Sequence, residues 1–218
     1  MEIQGVLEKL ENKVCLENVF FRGFAGSSMI DVQISGIGSS ETSKFLVQRL
    51  RQSRYDLVLN LGICGSFKKE YPIGSVVNII SETWGDMGAE DPDGFLDLFD
   101  LGLLKRDEKP FTGFNLINNG NRYSHFFSHI PVVNGLTVNK AHGRKDTIEK
   151  IKSKYNPDVE SMEGAAVFSI CLSEGINFQC LRSISNFVEP RNRQAWEIES
   201  GISSLTNEVN KLIRVIRK

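Results

Sequence analysis

Apolar positions follow two different spacings along this chain. Compact apolar runs of strand length alternate with segments whose apolar side chains recur about every three to four positions, a helical spacing. The predicted strands cover residues 19–24, 29–34, 55–61, 76–80, 132–138 and 178–184. The predicted helices cover residues 3–11, 40–51, 162–174 and 196–217. Residues 149–155 are predicted as a short strand or the end of a helix, and residues 85–125 as a long irregular excursion.

Strands that alternate with helices are typical of an α/β protein whose sheet is covered on both faces. We therefore predict a three-layer α/β/α fold with a central mixed, mostly parallel twisted sheet. A hairpin is expected near the start, because Ala25-Gly26-Ser27-Ser28 separates the first two predicted strands. The 218 residues contain no internal repeat and no low-complexity linker, so residues 1–218 are predicted to form a single domain.

Charge and hydropathy argue against several classes of function. The formal net charge is −1, which gives no electrostatic reason to expect nucleic acid or an anionic membrane as a partner. No apolar run reaches the roughly 18–20 residues of a membrane span, and we expect no signal peptide. The composition therefore predicts a cytoplasmic globular protein.

The cysteines and histidines show no metal-binding pattern. The four cysteines are widely spaced: Cys15, Cys64, Cys171 and Cys180. They form no CxxC pair, so we predict reduced, mostly buried thiols and neither a structural metal nor a disulfide framework. The three histidines, His125, His129 and His142, also lack ligand spacing, and surface or loop roles are expected for them.

Residues 158–196 hold the densest group of candidate functional side chains. The motif Met162-Glu163-Gly164-Ala165-Ala166 begins an apolar helix, which is followed by a short apolar strand and a polar loop. The polar and charged side chains of the strand and loop are Arg182, Ser185, Asn186, Glu189, Arg191 and Arg193. A carboxylate at the end of one element that faces amide and charged groups at the next is typical of a small-molecule site in an α/β protein.

Four motifs, in this order, resemble the purine nucleoside phosphorylase and nucleosidase superfamily. They are Ser35-Gly36-Ile37-Gly38, Asn60-Leu61-Gly62-Ile63-Cys64-Gly65, Ser161-Met162-Glu163-Gly164-Ala165-Ala166 and Arg182-Ser183-Ile184-Ser185-Asn186. Their order and spacing extend over roughly the whole chain. The resemblance implies a nucleoside phosphorylase-like fold, a small nucleoside substrate, no metal or organic cofactor, and a homodimer.

Within this superfamily, two loops resemble those of the futalosine hydrolases. They are Gly135-Leu136-Thr137-Val138-Asn139, and the run from Asn186 through Arg193 that is followed by Trp196. That family removes hypoxanthine from futalosine on a menaquinone pathway. A purine nucleoside phosphorylase, a methylthioadenosine or adenosylhomocysteine nucleosidase, and an inactive purine-binding relative stay open as alternatives.

The resemblance assigns the ribose to Glu163, Met162 and Arg182. Breaking an N-ribosidic bond builds positive charge on the sugar and negative charge on the departing purine. Glu163 resembles the family glutamate that binds the ribose hydroxyls, Met162 the residue that packs on the sugar, and Arg182 the arginine that orients the glutamate. The competing interpretations are a helix-start carboxylate, a core methionine and a buried structural ion pair.

Asn186 occupies the position at which relatives that hydrolyse methylthioadenosine carry an aspartate. An ionised carboxylate would set acceptor against acceptor at the O6 of a 6-oxopurine, whereas an asparagine NH2 donates to O6 or N7. A mismatched buried polar group costs roughly 1–3 kcal/mol, enough to decide a specificity. Asn186 therefore predicts a hypoxanthine- or guanine-type leaving group; the alternative is an asparagine in a turn after a strand.

Two aliphatic positions complete the implied pocket. Val138 resembles the position that flanks the purine ring, although an ordinary core valine is an equal alternative. Ile63 stands where relatives often carry serine, so the pocket lacks one donor for water or phosphate. No arginine lies in or beside the two glycine-rich loops before Arg49, which favours water over phosphate as the nucleophile.

The loop with Arg191 and Arg193 is expected to border the 5′ side of the sugar. Futalosine carries an aromatic carboxylate on that side, and one of these arginines would pair with it. The alternative for either residue is a solvated turn and helix start.

Glu2 resembles the family glutamate that activates water. In the nucleosidases this glutamate follows the first strand, whereas only Met1 precedes Glu2 here. We therefore expect that the first strand, about ten residues with its turn, is missing from this sequence and that the native chain begins earlier. The alternative for Glu2 is a disordered terminal residue.

Overall fold

The computed structural model of the protein describes residues 4–92 and 94–217. Its helices are α1 (Gln4–Leu7), α2 (Ser39–Gln52), α3 (Lys145–Tyr155), α4 (Gly164–Glu174) and α5 (Ile198–Ile216). The strands of the first half are β1 (Glu11–Glu17), β2 (Phe20–Ala25), β3 (Ser28–Gln33), β4 (Val58–Ser66), β5 (Val76–Trp84), β6 (Gly88–Asp91) and β7 (Gly94–Asp97). Those of the second half are β8 (Phe111–Thr112), β9 (Asn115–Ile117), β10 (Val132–Thr137), β11 (Val159–Ser161) and β12 (Phe178–Phe187).

Strands β1, β2 and β3 form an antiparallel sheet of their own. The predicted hairpin is confirmed, since β2 and β3 pair across a turn in which Gly26 has a φ of 59°. Strand β1 was not predicted, because every one of its residues is exposed and the strand has no alternation of buried and exposed positions.

The main sheet has the strand order β10-β11-β4-β12-β5-β9-β8. Because β10 also pairs with β5, the strands from β10 to β5 close into a ring. Parallel pairs join β10 to β11, β10 to β5 and β4 to β12, while the other pairs found among the described residues are antiparallel. The sheet is therefore mixed, as predicted, and its two longest strand pairings, β4 with β12 and β10 with β5, are parallel.

Helices cover both sides of the main sheet and give the predicted three layers. Helix α4 packs on β5, β9 and β10, with α2 against its outer side, while α5 packs on β4, β5 and β12. The core beside α4 includes Phe168 and Phe178, whose rings meet edge to face with centroids 4.7 Å apart. The apolar packing of α4 and α5 on the sheet therefore holds β4 and β12 in place. The ends of these two strands carry the candidate site.

Two of the strand edges without a strand partner in the described residues belong to β3 and β4. Strand β3 pairs only with β2, and the 58–64 part of β4 pairs only with β12. The prediction of a missing first strand concerns positions before residue 4, outside the described residues, and stays a prediction.

Several element boundaries differ from those predicted. Residues 145–155 form the helix α3, so residues 149–155 are the end of a helix, which is one of the two predicted alternatives. Strands β4, β5 and β12 continue past the predicted ends because Gly, Ser, Glu and Asn positions at their ends still pair in the sheet. The 85–125 segment contains four short strands and is not wholly irregular.

Two further expectations concern thiols and membranes. The predicted buried thiols are present at Cys64, Cys171 and Cys180, whereas Cys15 is exposed, and all four cysteines are unpaired. Among the helices in the described part of the chain, none combines the length and apolarity needed to span a membrane.

Candidate active site

The Glu163 carboxylate lies where the loop before α2 meets the start of α4. Its Oε1 accepts a hydrogen bond from the backbone N–H of Gly38 at 3.0 Å. Gly38 has a φ of 91°, a conformation that favours glycine. Ser39 Oγ donates to the backbone oxygen of Met162 at 2.9 Å, so the same loop also holds the residue before Glu163. The Ser-Gly-Ile-Gly motif therefore orients the carboxylate.

Arg182 lies next to this carboxylate, inside the sheet. Its side chain is 1% exposed, and Nη2 lies 3.6 Å from Glu163 Oε2. Nη2 donates to Asn60 Oδ1 at 2.5 Å, and Nη1 donates to the backbone oxygens of Asn60 and Leu181, both at 3.2 Å. The predicted pairing of Arg182 with Glu163 is thus an ionic contact, while hydrogen bonds to β4 and β12 fix the guanidinium.

Glu82 on β5 adds a buried carboxyl group that the sequence analysis missed. Its Oε2 accepts from Thr137 Oγ1 at 2.9 Å, and that hydroxyl accepts from the backbone N–H of Ala165 at 2.7 Å. Burial raises the pKa of Glu82 to about 8; repulsion from Glu163 also raises it, whereas the Thr137 hydrogen bond and Arg182 lower it. Glu82 is therefore mostly protonated at neutral pH and joins two strands to the first turn of α4.

Gly135 and Gly164 make room for the Glu82 carboxyl group because they have no side chain. A Cβ at Gly164 would lie 1.9 Å from Glu82 Oε1, and one at Gly135 would lie 2.6 Å from the same atom. Within the described residues Oε1 has no hydrogen-bond partner. The glycines of the Glu-Gly-Ala-Ala and Gly-Leu-Thr-Val motifs are thus explained by one buried carboxyl group.

Asn186 lies near the end of β12, opposite Gly65 of β4. Its Oδ1 accepts from Ser185 Oγ and its Nδ2 donates to the backbone oxygen of Phe187, both at 2.9 Å. A Cβ at Gly65 would lie 3.1 Å from Nδ2 and 2.9 Å from a methyl carbon of Val188, so this approach requires glycine. Within the described residues no acceptor is found for the second N–H of the amide.

A cavity beside Asn186 is the candidate purine pocket. Its apolar wall includes Ile73, Phe187 and Trp196, and its polar groups include His142, Asn186 and Arg191. Glu163 is not part of this lining. We call the two parts of the candidate site the carboxylate end, at Glu163, and the purine end, at Asn186, where the purine is predicted to bind.

His142 lies in the loop between β10 and α3, which agrees with the loop role expected for it, but its side chain is not at the surface. Its side chain is only 9% exposed, and its Nδ1 lies 2.7 Å from Glu160 Oε2. Glu160 Oε1 accepts the backbone N–H of His142 at 2.9 Å, so the carboxylate holds both the ring and the loop. No spacing pattern along the chain indicates this contact, because His142 lies in a loop and Glu160 on β11.

The two loop arginines are placed differently. Arg191 lines the cavity, stacks over the Trp196 ring with its guanidinium carbon 5.6 Å from the centroid, and donates its backbone N–H to Gly143 at 3.1 Å. Arg193 begins a short 3₁₀ helix, is exposed, and is not among the lining residues. The geometry therefore favours Arg191 over Arg193 as a contact for a ligand.

Two predicted site residues are not among the lining of this cavity, and a third lies outside the described residues. Val138 is 1% exposed and packs with Leu136 and Ile151, which fits the core-valine alternative; its purine role stays a prediction. Ile63 lies near Gly201 on the side of β4 that faces α5, and its role also stays a prediction. Glu2 lies outside the described residues, and its role is equally a prediction.

No group of three or more His, Cys, Asp or Glu side chains in the described ranges is arranged to hold a metal ion.

The sequence matches the profile of the phosphorylase superfamily over residues 3–218. It is 34% identical to a futalosine hydrolase of Streptomyces coelicolor over 167 residues, 74% of this chain and 67% of that protein. It is 30% identical to a futalosine hydrolase of Acidothermus cellulolyticus over 180 residues, 80% of this chain and 71% of that protein. The chain belongs to the phosphorylase superfamily and, within it, to the futalosine hydrolase family.

Solved structures show the same fold. Futalosine hydrolase of Helicobacter pylori superposes with a TM-score of 0.80 at 19% identity, covering 98% of this chain and 93% of that one. A 5′-methylthioadenosine/S-adenosylhomocysteine nucleosidase of S. pneumoniae superposes with a TM-score of 0.79 at 17% identity, covering 99% of this chain and 94% of that one. The predicted superfamily, family and fold class are thereby confirmed.

Proposed function

We propose that this protein hydrolyses the N-ribosidic bond of futalosine and releases hypoxanthine and dehypoxanthine futalosine. Membership of the futalosine hydrolase family supports the reaction class. The choice of hypoxanthine as the leaving group rests on the orientation of the Asn186 amide. Its N–H, rather than its oxygen, is available to the cavity, because Ser185 and Phe187 engage the other groups.

A donor at this place suits the O6 or N7 of a 6-oxopurine. The partner of Asn186 Nδ2 is the carbonyl oxygen of Phe187, which can only accept a hydrogen bond. If the Asn186 amide were rotated by 180°, its Oδ1 would face this carbonyl oxygen and the two acceptors would repel each other. The cavity's aromatic and aliphatic wall would cover the faces of the purine ring. Adenine, which presents an amino group at C6, would place donor against donor.

Water is the proposed nucleophile, without phosphate. The backbone N–H of Gly38, which a phosphate-binding loop would direct at an anion, donates to Glu163 instead. The Arg182 guanidinium is engaged by Asn60, Leu181 and Glu163. Both groups best placed to hold phosphate near the carboxylate end are therefore already occupied.

At the carboxylate end, Glu163 would bind the ribose hydroxyls and favour the positive charge that develops on the sugar. Met162 would pack on the sugar, and Arg182 would keep the carboxylate in place. Glu2 would position or deprotonate the attacking water. At the other end, Arg191 would face the carboxylate of the 5′ substituent, with Arg193 as the more solvated neighbour.

A homodimer in the cytoplasm, on a menaquinone pathway, completes the proposal. The sheet of β1, β2 and β3 exposes apolar side chains, each with at least a third of its surface accessible: Val14, Leu16, Phe24 and Met29. Such a patch is what a subunit interface would cover. Sedimentation of the purified protein would test this, and a monomer at micromolar concentration would contradict it.

The central experiment incubates the protein, with its chain extended at the start if the native gene encodes more residues, with futalosine, inosine and methylthioadenosine. Free base is followed by chromatography with and without phosphate. We expect hypoxanthine from futalosine in both buffers and little adenine from methylthioadenosine. Strict dependence on phosphate would overturn hydrolysis, and equal rates with inosine and futalosine would overturn the assignment of the 5′ substituent.

The substitution Asn186→Asp tests the leaving-group assignment. A carboxylate can carry the N7 proton and accept from the amino group of adenine, so the ratio of adenine to hypoxanthine release should rise by about tenfold or more. An unchanged ratio, in a variant whose circular dichroism matches that of the wild type, would contradict the assignment.

A further inference from the structure

The purine end of the site lacks an acid if Asn186 acts alone. Departure of hypoxanthine leaves an electron pair on the purine, and a proton delivered to a ring nitrogen stabilises it. An amide N–H can donate a hydrogen bond there but does not transfer its proton near neutral pH. Another group in the same cavity must supply that proton if departure is acid-assisted.

His142 is a side chain in that cavity that can carry a transferable proton on one ring nitrogen while the other is hydrogen-bonded to protein. The short contact between its Nδ1 and Glu160 places a proton on Nδ1, because an ionised carboxylate only accepts. Nε2 is then the nitrogen left for a ligand, and no protein partner for it occurs in the described residues.

Charged groups surround the His142 ring and its loop. Glu160 on β11 is 7% exposed and accepts two hydrogen bonds from His142, through the ring and through the backbone. Glu189 and Arg191 face the same cavity from the loop after β12, and both are exposed. Asp86, after β5, accepts from the backbone of Asn139, at the other end of the His142 loop.

We propose that His142 is the general acid that protonates the departing purine, and that Glu160 is the positioning residue that orients its ring. This inference rests on the proposed function, since it concerns the leaving group of that reaction.

In the proposed reaction, the bond between C1′ and N9 breaks and its electron pair goes to the purine, while the oxygen of water forms a bond to C1′. The proton on His142 Nε2 moves to a purine ring nitrogen, N7, and gives neutral hypoxanthine. Water loses a proton to a base, for which Glu2 is the predicted residue, and exchange with solvent restores both groups.

A purely structural pair that ties the 139–144 loop to β11 would give the same contacts. The substitution His142→Asn separates the two roles, because the asparagine amide retains a donor near the position of Nδ1 but cannot transfer a proton. His129→Asn is the matched control, since His129 pairs with Glu208 at 2.9 Å but is 53% exposed and lies away from the cavity.

The experiment measures kcat and KM for hypoxanthine release from futalosine, at several pH values, for the wild type and both variants. General acid catalysis contributes about 10²–10⁴-fold, so kcat of His142→Asn should fall within that range, and the loss of activity toward high pH should disappear. His129→Asn should keep the wild-type kcat and pH profile.

Two results would overturn the inference. One is a kcat of His142→Asn within about threefold of wild type; the other is a fall in kcat that leaves the high-pH limb in place. Glu160→Gln adds a check: it should lower kcat less than His142→Asn does and shift the high-pH limb downward, which loop anchoring alone would not do. Wild-type protein that releases no hypoxanthine would overturn the proposed function itself, a result distinct from active wild type with an unaffected His142 variant.

Discussion

The two ends of the candidate site are built in different ways. At the carboxylate end, Arg182 and Glu82 are fully buried on central strands, and Glu163 is held by a loop more than a hundred positions away in sequence. At the purine end, Asn186 is held by its immediate neighbours, and Arg191 is exposed on a loop. The carboxylate end is therefore part of the core, whereas substitutions in the exposed loop can change ligand preference at little cost in stability.

The largest expected effect is on Arg182. Replacement by Met would remove the hydrogen bonds from the guanidinium to the Asn60 oxygens and leave Glu163 without its cation. Breaking a buried ion pair in this way costs about 3–5 kcal/mol of unfolding free energy. Urea unfolding would measure the loss, and Arg122→Met, which removes an exposed pair with Asp56, should cost no more than about 1 kcal/mol. Similar losses of unfolding free energy in the two variants would contradict the prediction that the buried charge matters more for stability than the exposed one.

Gly164→Ala tests whether Glu82 sets the residue at the start of α4. The new Cβ would clash with Glu82 Oε1, so we expect a loss of about 1–3 kcal/mol from overpacking. Adding Glu82→Ala should recover part of that loss, a non-additivity that a double-mutant cycle measures. Gly201→Ala in α5 is the control, because its Cβ would meet nothing closer than 3.4 Å and helix propensity favours alanine.

The pH dependence of stability tests the state of Glu82. Its pKa of about 8 lies above the ordinary value of 4.5, so between these values the unfolded chain releases a proton that the folded protein keeps. This group therefore contributes most stability below pH 4.5 and loses that contribution as pH rises to about 8. Glu82→Gln cannot ionise, so its unfolding free energy relative to wild type should rise from pH 5 to pH 8. A difference that stays constant with pH would contradict a protonated Glu82.

The smallest expected effect is at the loop. Arg191→Gln should raise KM for futalosine about fivefold, equivalent to roughly 1 kcal/mol, and leave KM for inosine unchanged. Its unfolding free energy should stay within about 0.5 kcal/mol of wild type. Arg193→Gln is the matched control, and a larger effect there than at Arg191 would reverse the assignment of the two arginines.

The sequence predicted the elements that bury a regular apolar face and missed those that do not. Helix α5 and strand β10 were located within two positions, whereas β1 carries no burial pattern and β11 is only three residues long. The ends of β4, β5 and β12 were predicted too short because they carry glycine and polar residues. Those residues stay in the strands because they pair with neighbouring strands, which local propensity does not reveal.

The sequence by itself determined the family and the α/β class, and it predicted three candidate functional side chains, because Glu163, Arg182 and Asn186 lie within ordered motifs. Only the tertiary structure decided that Glu82 lies against Gly164, that Gly38 donates to Glu163, and that His142 pairs with Glu160 beside Asn186. Each of these contacts joins residues from different elements. Their proximity follows from strand order and helix packing, which place side chains together regardless of their separation along the chain.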